Sequence, residues 1–346
     1  MSTVAVEWQS FSGWLVAGLF TGILSFFSCL LAMRFARRSG MLVPPGVRQS
    51  HAVATPTGGG LGLILGLMIS ISLLQLAVSF PDFWWRNILP GVLLLALIGW
   101  LDDRRHVSSI LRLLVQLAVS LWLLDSACFQ NSIQGLVLCA GLIVGMVWLM
   151  NLYNFMDGSD GMAGFQGVFA GLVMAVLLYT AGQHAMALLA VVVAASCAGF
   201  LPLNFPSARV FMGDVASVPL GFIFASLAVY GLRTGSLELV FSILVMSVFI
   251  VDTTLTLAVR VFHGERWYTA HNQHIYQRLI AYGWSHSRVL MAYQVVNMSL
   301  VLPAIVLAKI YPQYATQTAL IVLMILGTCW HIINRRLGMH VTGELK

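Results

Sequence analysis

The sequence predicts an all-α, polytopic membrane protein of about eleven transmembrane helices, and three observations predict it. Hydrophobic residues make up 59% of the 346 positions and charged residues only 9%, with a mean hydropathy of +0.90. An average soluble domain is roughly a quarter charged. Apolar runs near or above ~18 residues recur along the chain, the length needed to cross a bilayer as helix. The connections between runs also alternate, one set short and nearly uncharged, the other longer and carrying most of the charge.

The apolar runs fall at about 11–33, 59–79, 87–101, 111–128, 135–151, 162–181, 185–203, 216–232, 237–260, 289–308 and 317–334. The first has no basic segment before it, so no cleaved signal peptide is read. Placing Arg34, Arg37, Arg38, Arg48, Arg104, Arg105, Arg112, Arg209, Arg260, Arg266, Arg278, Arg288, Arg335, Arg336 and Lys346 on one side collects 15 of the 18 Lys and Arg residues. Only Arg86, Arg233 and Lys309 remain for the other side. The positive-inside rule then puts the N-terminus in the periplasm and the C-terminus in the cytoplasm. Trp84, Trp85, Tyr311 and Tyr314 fit an aromatic belt at the outer interface. The net charge of +6 is thereby explained by topology, and nucleic-acid binding is not indicated. The five cysteines form no C-x-x-C pair, so neither a zinc site nor a disulfide framework is read. No internal repeat stands out, and the expectation is one integral membrane domain over 1–346.

Five loops on the cytoplasmic side, near 34–60, 102–112, 151–161, 204–215 and 262–288, are expected to build the site. The central one is Asn151-Leu-Tyr-Asn154-Phe-Met-Asp157-Gly-Ser-Asp160-Gly161. Its polar residues recur every third position, which on a helical turn gathers them onto one side. Carboxylates and amides beside glycines suit a hard cation and phosphate oxygens; the bland reading is a polar turn. Asp102 and Asp103 end one span side by side and repel each other unless Arg104, Arg105 or a divalent metal lies near. Asp214 follows Gly213 at the start of another span and alone reads as a cap. Together, Asp102, Asp103, Asp157, Asp160 and Asp214 are five of the chain's 12 acidic residues, and all stand at helix ends on one side. Arg112, His271, His274 and Arg278 add cations and histidines there, a combination that suggests phosphoryl transfer. Gly58-Gly-Gly60 lacks the Lys-Ser/Thr of a P-loop. His271 and His274 have no acidic or Cys partner at zinc-site spacing, which favours phosphate contact or loop structure.

At these motifs the chain resembles the polyprenyl-phosphate N-acetylhexosamine-1-phosphate transferases (glycosyltransferase family 4). The Asp pair, Asn151-x-x-Asn154-Phe-x-Asp157-Gly-x-Asp160-Gly161, Phe211-Met-Gly213-Asp214 and the His-rich fifth loop occur in the family's order. Arg48-Gln-Ser-His51 leading to Pro56-Thr-Gly-Gly-Gly60, with His271-x-x-His274-x-Tyr-Gln-Arg278, looks like the bacterial branch that initiates O-antigen or related cell-envelope glycan synthesis (WecA/WbpL type). The resemblance implies an Mg²⁺-dependent glycosyl-1-phosphate transferase of the bacterial inner membrane, with Mn²⁺ as a substitute metal. A UDP-N-acetylhexosamine gives its sugar-1-phosphate to undecaprenyl phosphate and releases UMP. By the same resemblance Asp102 and Asp103 are the catalytic pair, Asn154 and Asp214 the metal and pyrophosphate ligands, and Asp160 the uracil contact. Arg112 stands near the carrier phosphate, and His274 and Arg278 grip the donor pyrophosphate. Asn151, Asp157 and His271 join the substrate-binding set, and a homodimer agrees with the family. No third Asp follows the acidic pair, and the fifth loop has fewer histidines than other branches. Direct attack and a covalent aspartyl intermediate both stay open, with Asp102 the candidate base. The competing readings are the phospho-MurNAc-pentapeptide transferase of peptidoglycan synthesis and a secondary transporter for an anionic solute. Transporters place ionisable groups at the midplane; here the acids gather at one surface, and Asp252, inside 237–260, is the residue that points the other way.

Overall fold

The computed structural model describes residues 11–43, 54–124, 132–266 and 271–338. The Arg48–His51 segment, Cys128 and Lys346 lie outside the described residues. The described chain is almost entirely helical: α1 (Phe11–Arg38), α2 (Gly59–Leu74), α3 (Leu89–Arg105), α4 (Ser109–Leu124), α5 (Ile133–Phe155), α6 (Met162–Thr180), α7 (His184–Asn204), α8 (Asp214–Arg233), α9 (Leu239–Phe262), α10 (Ile275–Ala281), α11 (His286–Val296), α12 (Leu302–Ile310) and α13 (Ala315–Arg336). A two-residue antiparallel ladder, β1 (Leu42–Val43) with β2 (Thr55–Pro56), is the exception.

Among the described residues, nine helical stretches are long and apolar enough to cross a membrane. Two further apolar helices, α2 and α4, have 16 residues each, about 24 Å at 1.5 Å per residue, against a hydrocarbon core of about 30 Å. All eleven expected apolar segments are therefore helices, but nine rather than eleven meet the length of a full span. Two of the long helices contain a wide π turn, at Trp84–Ile88 and Asn297–Val301, each just before a proline (Pro90, Pro303). Proline removes a backbone donor and its ring crowds the preceding turn, and the wider turn accommodates both.

The outward faces match lipid. In α1, Leu15, Leu19, Ile23, Phe27 and Leu31 are all more than half exposed, whereas Ala17, Thr21, Ser25 and Cys29 are buried. Large apolar groups outside and small ones inside invert the pattern of a water-soluble helix, and suit a solvent of hydrocarbon in which close backbone packing holds helices together. The small residues do that packing: a Cβ on Gly66 would lie 2.7 Å from the Ser25 Cα, and Gly62 and Gly199 meet the α1 backbone more closely still. The Ser25 hydroxyl donates to the Ser196 carbonyl at 2.8 Å, tying α1 to α7.

The chain packs as two compact units, residues 1–242 and 243–346. In the first, α8 is the buried axis, enclosed nearly along its length and packed against α2, α3, α5 and α6. The second comprises most of α9 and the helices after it. Its internal hub is Asp252. The carboxylate accepts from the Tyr293 hydroxyl at 2.7 Å, the Ile275 N–H at 2.9 Å and the Trp330 indole N–H at 3.3 Å. One mid-helix carboxylate thus holds α10, α11 and α13 against α9, which accounts for an acidic residue inside an apolar span.

Candidate active site

The site of the first unit is built where α3 ends, α5 ends and α8 begins. Three glycines bring those ends together. A Cβ on Gly99 would lie 2.6 Å from the Val215 N and closer still to the Asp214 carbonyl, so α3 touches the first turn of α8 backbone to backbone. A Cβ on Gly221 would lie 2.7 Å from the Leu149 carbonyl oxygen and the Met150 Cα, which seats α8 on α5. Gly213 turns the chain into α8 with φ +75°, and any side chain there would strike the Asp103 carboxylate. Such contacts are open only to glycine.

With the helix ends placed, the polar groups follow. Asp103 Oδ1 accepts from the Asp214 N–H at 3.1 Å and its Oδ2 from the Val215 N–H at 3.4 Å. Asp102 Oδ1 accepts from the Val107 N–H at 2.6 Å, closing the turn from α3 into α4 around His106, whose φ is +47°. That turn returns Arg112 to the Asp pair. Its Nη1 donates to Asp102 Oδ2 at 2.7 Å and to Asp214 Oδ2 at 2.9 Å. Asn154 Nδ2 donates to Asp214 Oδ1 at 2.6 Å and to the Ser217 hydroxyl at 2.9 Å. Asp157 is half-buried beside this group. Burial, and then the negative charges of Asp214 and Asp103, push its carboxyl well above the ordinary range, against a hydrogen bond from the Gly213 backbone.

Of the expected residues in this unit, the structure brings together Asp102, Asp103, Arg112, Asn154, Asp157 and Asp214. The cation at the Asp pair is Arg112, not Arg104, whose guanidinium lies 4.3 Å over the Trp100 ring one turn back. Asn151 Nδ2 donates to Gln116 Oε1 and to the Val147 carbonyl, each at 2.7 Å. Asp160 is 4% exposed; it accepts from the Ala208 N–H at 3.0 Å, while the adjacent Gly161 N–H donates to Asn204 Oδ1 at 2.8 Å. The loop from 204 to 213 is thus held from within. The Pro56–Gly60 turn holds it from outside: the Phe211 N–H donates to the Pro56 carbonyl at 2.9 Å, and the Gly59 and Gly60 N–H groups donate to the Phe211 and Met212 carbonyls at 2.9 and 3.0 Å. The triple glycine therefore serves backbone approach rather than a phosphate cradle, since its first two helical N–H groups are already engaged.

The expected residues of the fifth loop lie in the second unit. His274 is buried, and its backbone N–H donates to Gln277 Oε1 at 3.2 Å at the start of α10. Burial, the neighbouring His274 and Arg260 push His271 down to about 3, so its imidazole is neutral at pH 7. His274 is lowered as well, by burial first, although Asp252 opposes the shift. Arg278 donates to Asn334 Oδ1 and, at 3.0 Å, to the Gly338 carbonyl. Arg260 pairs with Glu265 at 2.7 Å, and Gln273 donates to the same carboxylate at 3.1 Å.

Two polar groups of the first unit were not singled out from sequence. Ser217 stands three residues after Asp214, a helical neighbour spacing that marks it. Gln116 is a polar residue in an apolar helix, which is itself a signal.

The donor set suits a hard divalent cation in its chemistry. Asp102, Asp103, Asp157 and Asp214 supply carboxylates and Asn154 an amide, against one guanidinium. Among the described residues, no three His, Cys, Asp or Glu side chains form a metal-ligand group; Arg112 bridges Asp102 and Asp214, and the Asp103 oxygens face backbone N–H groups.

Helix ends of this kind, carrying carboxylates, an amide and a guanidinium at the end of an apolar bundle, define a membrane-embedded enzyme for phosphate-bearing substrates. The model of glycosyl transferase family 4 matches residues 85–232, the stretch that holds the whole cluster. The phospho-N-acetylmuramoyl-pentapeptide-transferase of Moorella thermoacetica is 30% identical over 314 residues, covering 80% of this chain and 93% of that protein. The probable undecaprenyl-phosphate N-acetylglucosaminyl 1-phosphate transferase of Bacillus subtilis is 27% identical over 292 residues, 80% of each chain. The decaprenyl-phosphate N-acetylglucosaminephosphotransferase of Mycobacterium leprae is 27% identical, covering 80% of this chain and 79% of that one. The chain belongs to glycosyl transferase family 4. It is a polyprenyl-phosphate sugar-1-phosphate transferase, which sets the transporter reading aside.

Proposed function

We propose that the enzyme transfers N-acetylhexosamine-1-phosphate from a UDP-sugar to undecaprenyl phosphate at the cytoplasmic face of a bacterial inner membrane. On this reading it initiates O-antigen or a related envelope glycan. The observation that carries it is the convergence of Asp102, Arg112, Asn154 and Asp214 within one hydrogen-bonded group at the meeting of three helix ends. A site at helix ends serves a water-soluble donor and a lipid whose phosphate lies at headgroup depth.

An oxygen of the lipid phosphate attacks the β-phosphorus of the donor. The bond from that phosphorus to the bridging oxygen breaks, and UMP leaves with the electron pair. Asp102 is the base for any proton left on the lipid phosphate, whose second pKa as a phosphomonoester is about 6. Arg112 releases its carboxylate partners to take the incoming phosphate. Asn154 and Asp214 would hold Mg²⁺, or Mn²⁺ in its place, which when bound supplies charge neutralisation on the pyrophosphate. Asn151, Asp157 and Asp160 serve the donor, and His271, His274 and Arg278 its pyrophosphate.

The second reading, transfer of phospho-MurNAc-pentapeptide, is favoured by the name of the 30%-identical Moorella relative. A donor panel separates the two. Purified protein with undecaprenyl phosphate, Mg²⁺ and labelled UDP-GlcNAc, other UDP-N-acetylhexosamines or UDP-MurNAc-pentapeptide is scored for lipid-linked label. Label from an N-acetylhexosamine is expected. Label from the pentapeptide donor alone establishes the second reading, and none from any donor overturns both.

A further inference from the structure

We propose that Asp103 is a positioning residue, acting on the reaction through the first turn of α8 and not on the substrates. The deduction rests on the reading that Asp214 faces the reacting phosphates. Asp102 and Asp103 are neighbours in sequence but point at different things. Asp102 turns one oxygen to Arg112 and is 15% exposed as a side chain. Asp103 directs both oxygens at backbone N–H groups of Asp214 and Val215, the first two residues of α8.

The first N–H groups of a helix have no partner inside it. The usual solution is a side chain from the residue just before the helix. That position is Gly213, which has no side chain and gives no side-chain cap. Glycine is required there because φ is +75° and because the Asp103 carboxylate fills the space a Cβ would take. The cap is therefore supplied in trans by α3, and Gly99 lets α3 come close enough to deliver it. A carboxyl group is apt, since its two oxygens can face two N–H groups at once. One of those N–H groups belongs to Asp214 itself. The cap thus fixes the backbone from which the Asp214 carboxylate extends to Asn154 and Arg112, and Asp103 sets its aim without touching either.

The test compares Asp103→Asn, which keeps one acceptor oxygen, with Asp103→Ala, which keeps none, each in the full-length protein. Turnover, KM for both substrates, the pH–rate profile and amide hydrogen exchange at 214–215 are measured. The Asn variant is expected to retain kcat within about tenfold, and the Ala variant to fall about 100-fold, the scale of a misplaced catalytic group. KM values stay within threefold and the acidic limb of the Asn profile stays in place. Exchange at 214–215 rises about fivefold in Ala, the ratio matching a helix cap of about 1 kcal/mol. Equal kcat losses in Asn and Ala, loss of the acidic limb in Asn, or unchanged exchange in Ala overturns the proposal. If Ala does not fold, Asp103→Leu, which is of similar size and keeps no acceptor, takes its place and carries the same expectations for kcat and for exchange at 214–215. Full turnover of Asp214→Asn sinks instead the reading of Asp214, while the exchange result at 214–215 still reports on the cap.

Discussion

Gly99→Ala is the sharpest single probe of how the site is assembled. One methyl group is added on α3, one turn before Asp103, and it carries no charge itself. Its carbon would sit 2.6 Å from the Val215 N and closer still to the Asp214 carbonyl, against 3.4 Å for an ordinary contact, so α3 must retreat from α8 by at least about 0.8 Å. The obstacle is backbone, which cannot rotate aside as a side chain would. Overpacking of this kind costs about 1–3 kcal/mol, affordable for a bundle of this size, so the protein should still fold. The retreat carries Asp102, Asp103 and the Arg112 bridge with it, and a displacement near 1 Å costs about 100-fold in rate. The assay is steady-state turnover of lipid-linked product in detergent, with far-UV circular dichroism and a melting curve. Expected are a kcat about 100-fold lower, nearly unchanged KM for the donor and unchanged helix content. A variant that turns over within threefold of wild type would show that the close approach of α3 to α8 does not set the geometry of catalysis.

Asp214→Asn should lose most turnover and recover part of it in excess Mg²⁺ or Mn²⁺, whereas Asp102→Asn should lose turnover without metal rescue, its residual rate rising with pH as the lipid phosphate loses its second proton and then levelling; rescue of Asp102→Asn alone reverses the two roles. Asp160→Ala releases the Ala208 N–H and should raise KM for the UDP-sugar more than for the lipid, with equal effects counting against a donor role. His271 is held down to about 3; a depressed histidine binds fewer protons folded than unfolded, so its contribution is full above its ordinary pKa of about 6.5 and is lost as pH falls toward the folded value. The protection factors of amides over 271–281, measured after correcting exchange for its intrinsic pH dependence, should therefore fall on acidification below about pH 6.5, and His271→Gln should flatten that dependence. A cysteine introduced at Gln273 should react with an impermeant thiol reagent only from the cytoplasmic side; labelling from the periplasm would invert the topology.

The helices were legible because each depends on a local property, a long apolar run, and every expected run is helical. The six members of the cluster, Asp102, Asp103, Arg112, Asn154, Asp157 and Asp214, were legible because polar and charged groups at the ends of apolar runs are costly and so conspicuous. What sequence could not reveal is pairwise. Gly99 and Gly221 are glycines in apolar helices, and nothing in their own neighbourhoods says which backbone each must admit. Arg112 bridges two carboxylates 10 and 102 positions away, while Arg104, adjacent to the pair, turns back onto Trp100 because residues two apart on a helix do not share a face. The Gly58–Gly60 run lacks the P-loop's Lys-Ser/Thr, and nothing in its own neighbourhood shows that the Pro56–Gly60 turn is half of a backbone pairing with 211–212. Asp252 was visible as an anomaly, but its three partners lie 23, 41 and 78 residues on.

That last feature bears on exchanging the 271–278 segment between relatives. Substituting the 271–278 segment from a relative looks like a self-contained loop exchange. Yet α10 has seven residues, too few to persist alone, and its first N–H rests on a carboxylate from a different helix. A transplanted segment will keep its shape only if Asp252, Tyr293 and Trp330 travel with it or already match in the recipient. Chimeras cut at the loop boundaries should fail for want of that foundation, whereas those cut inside α9 and after Trp330 carry their own footing.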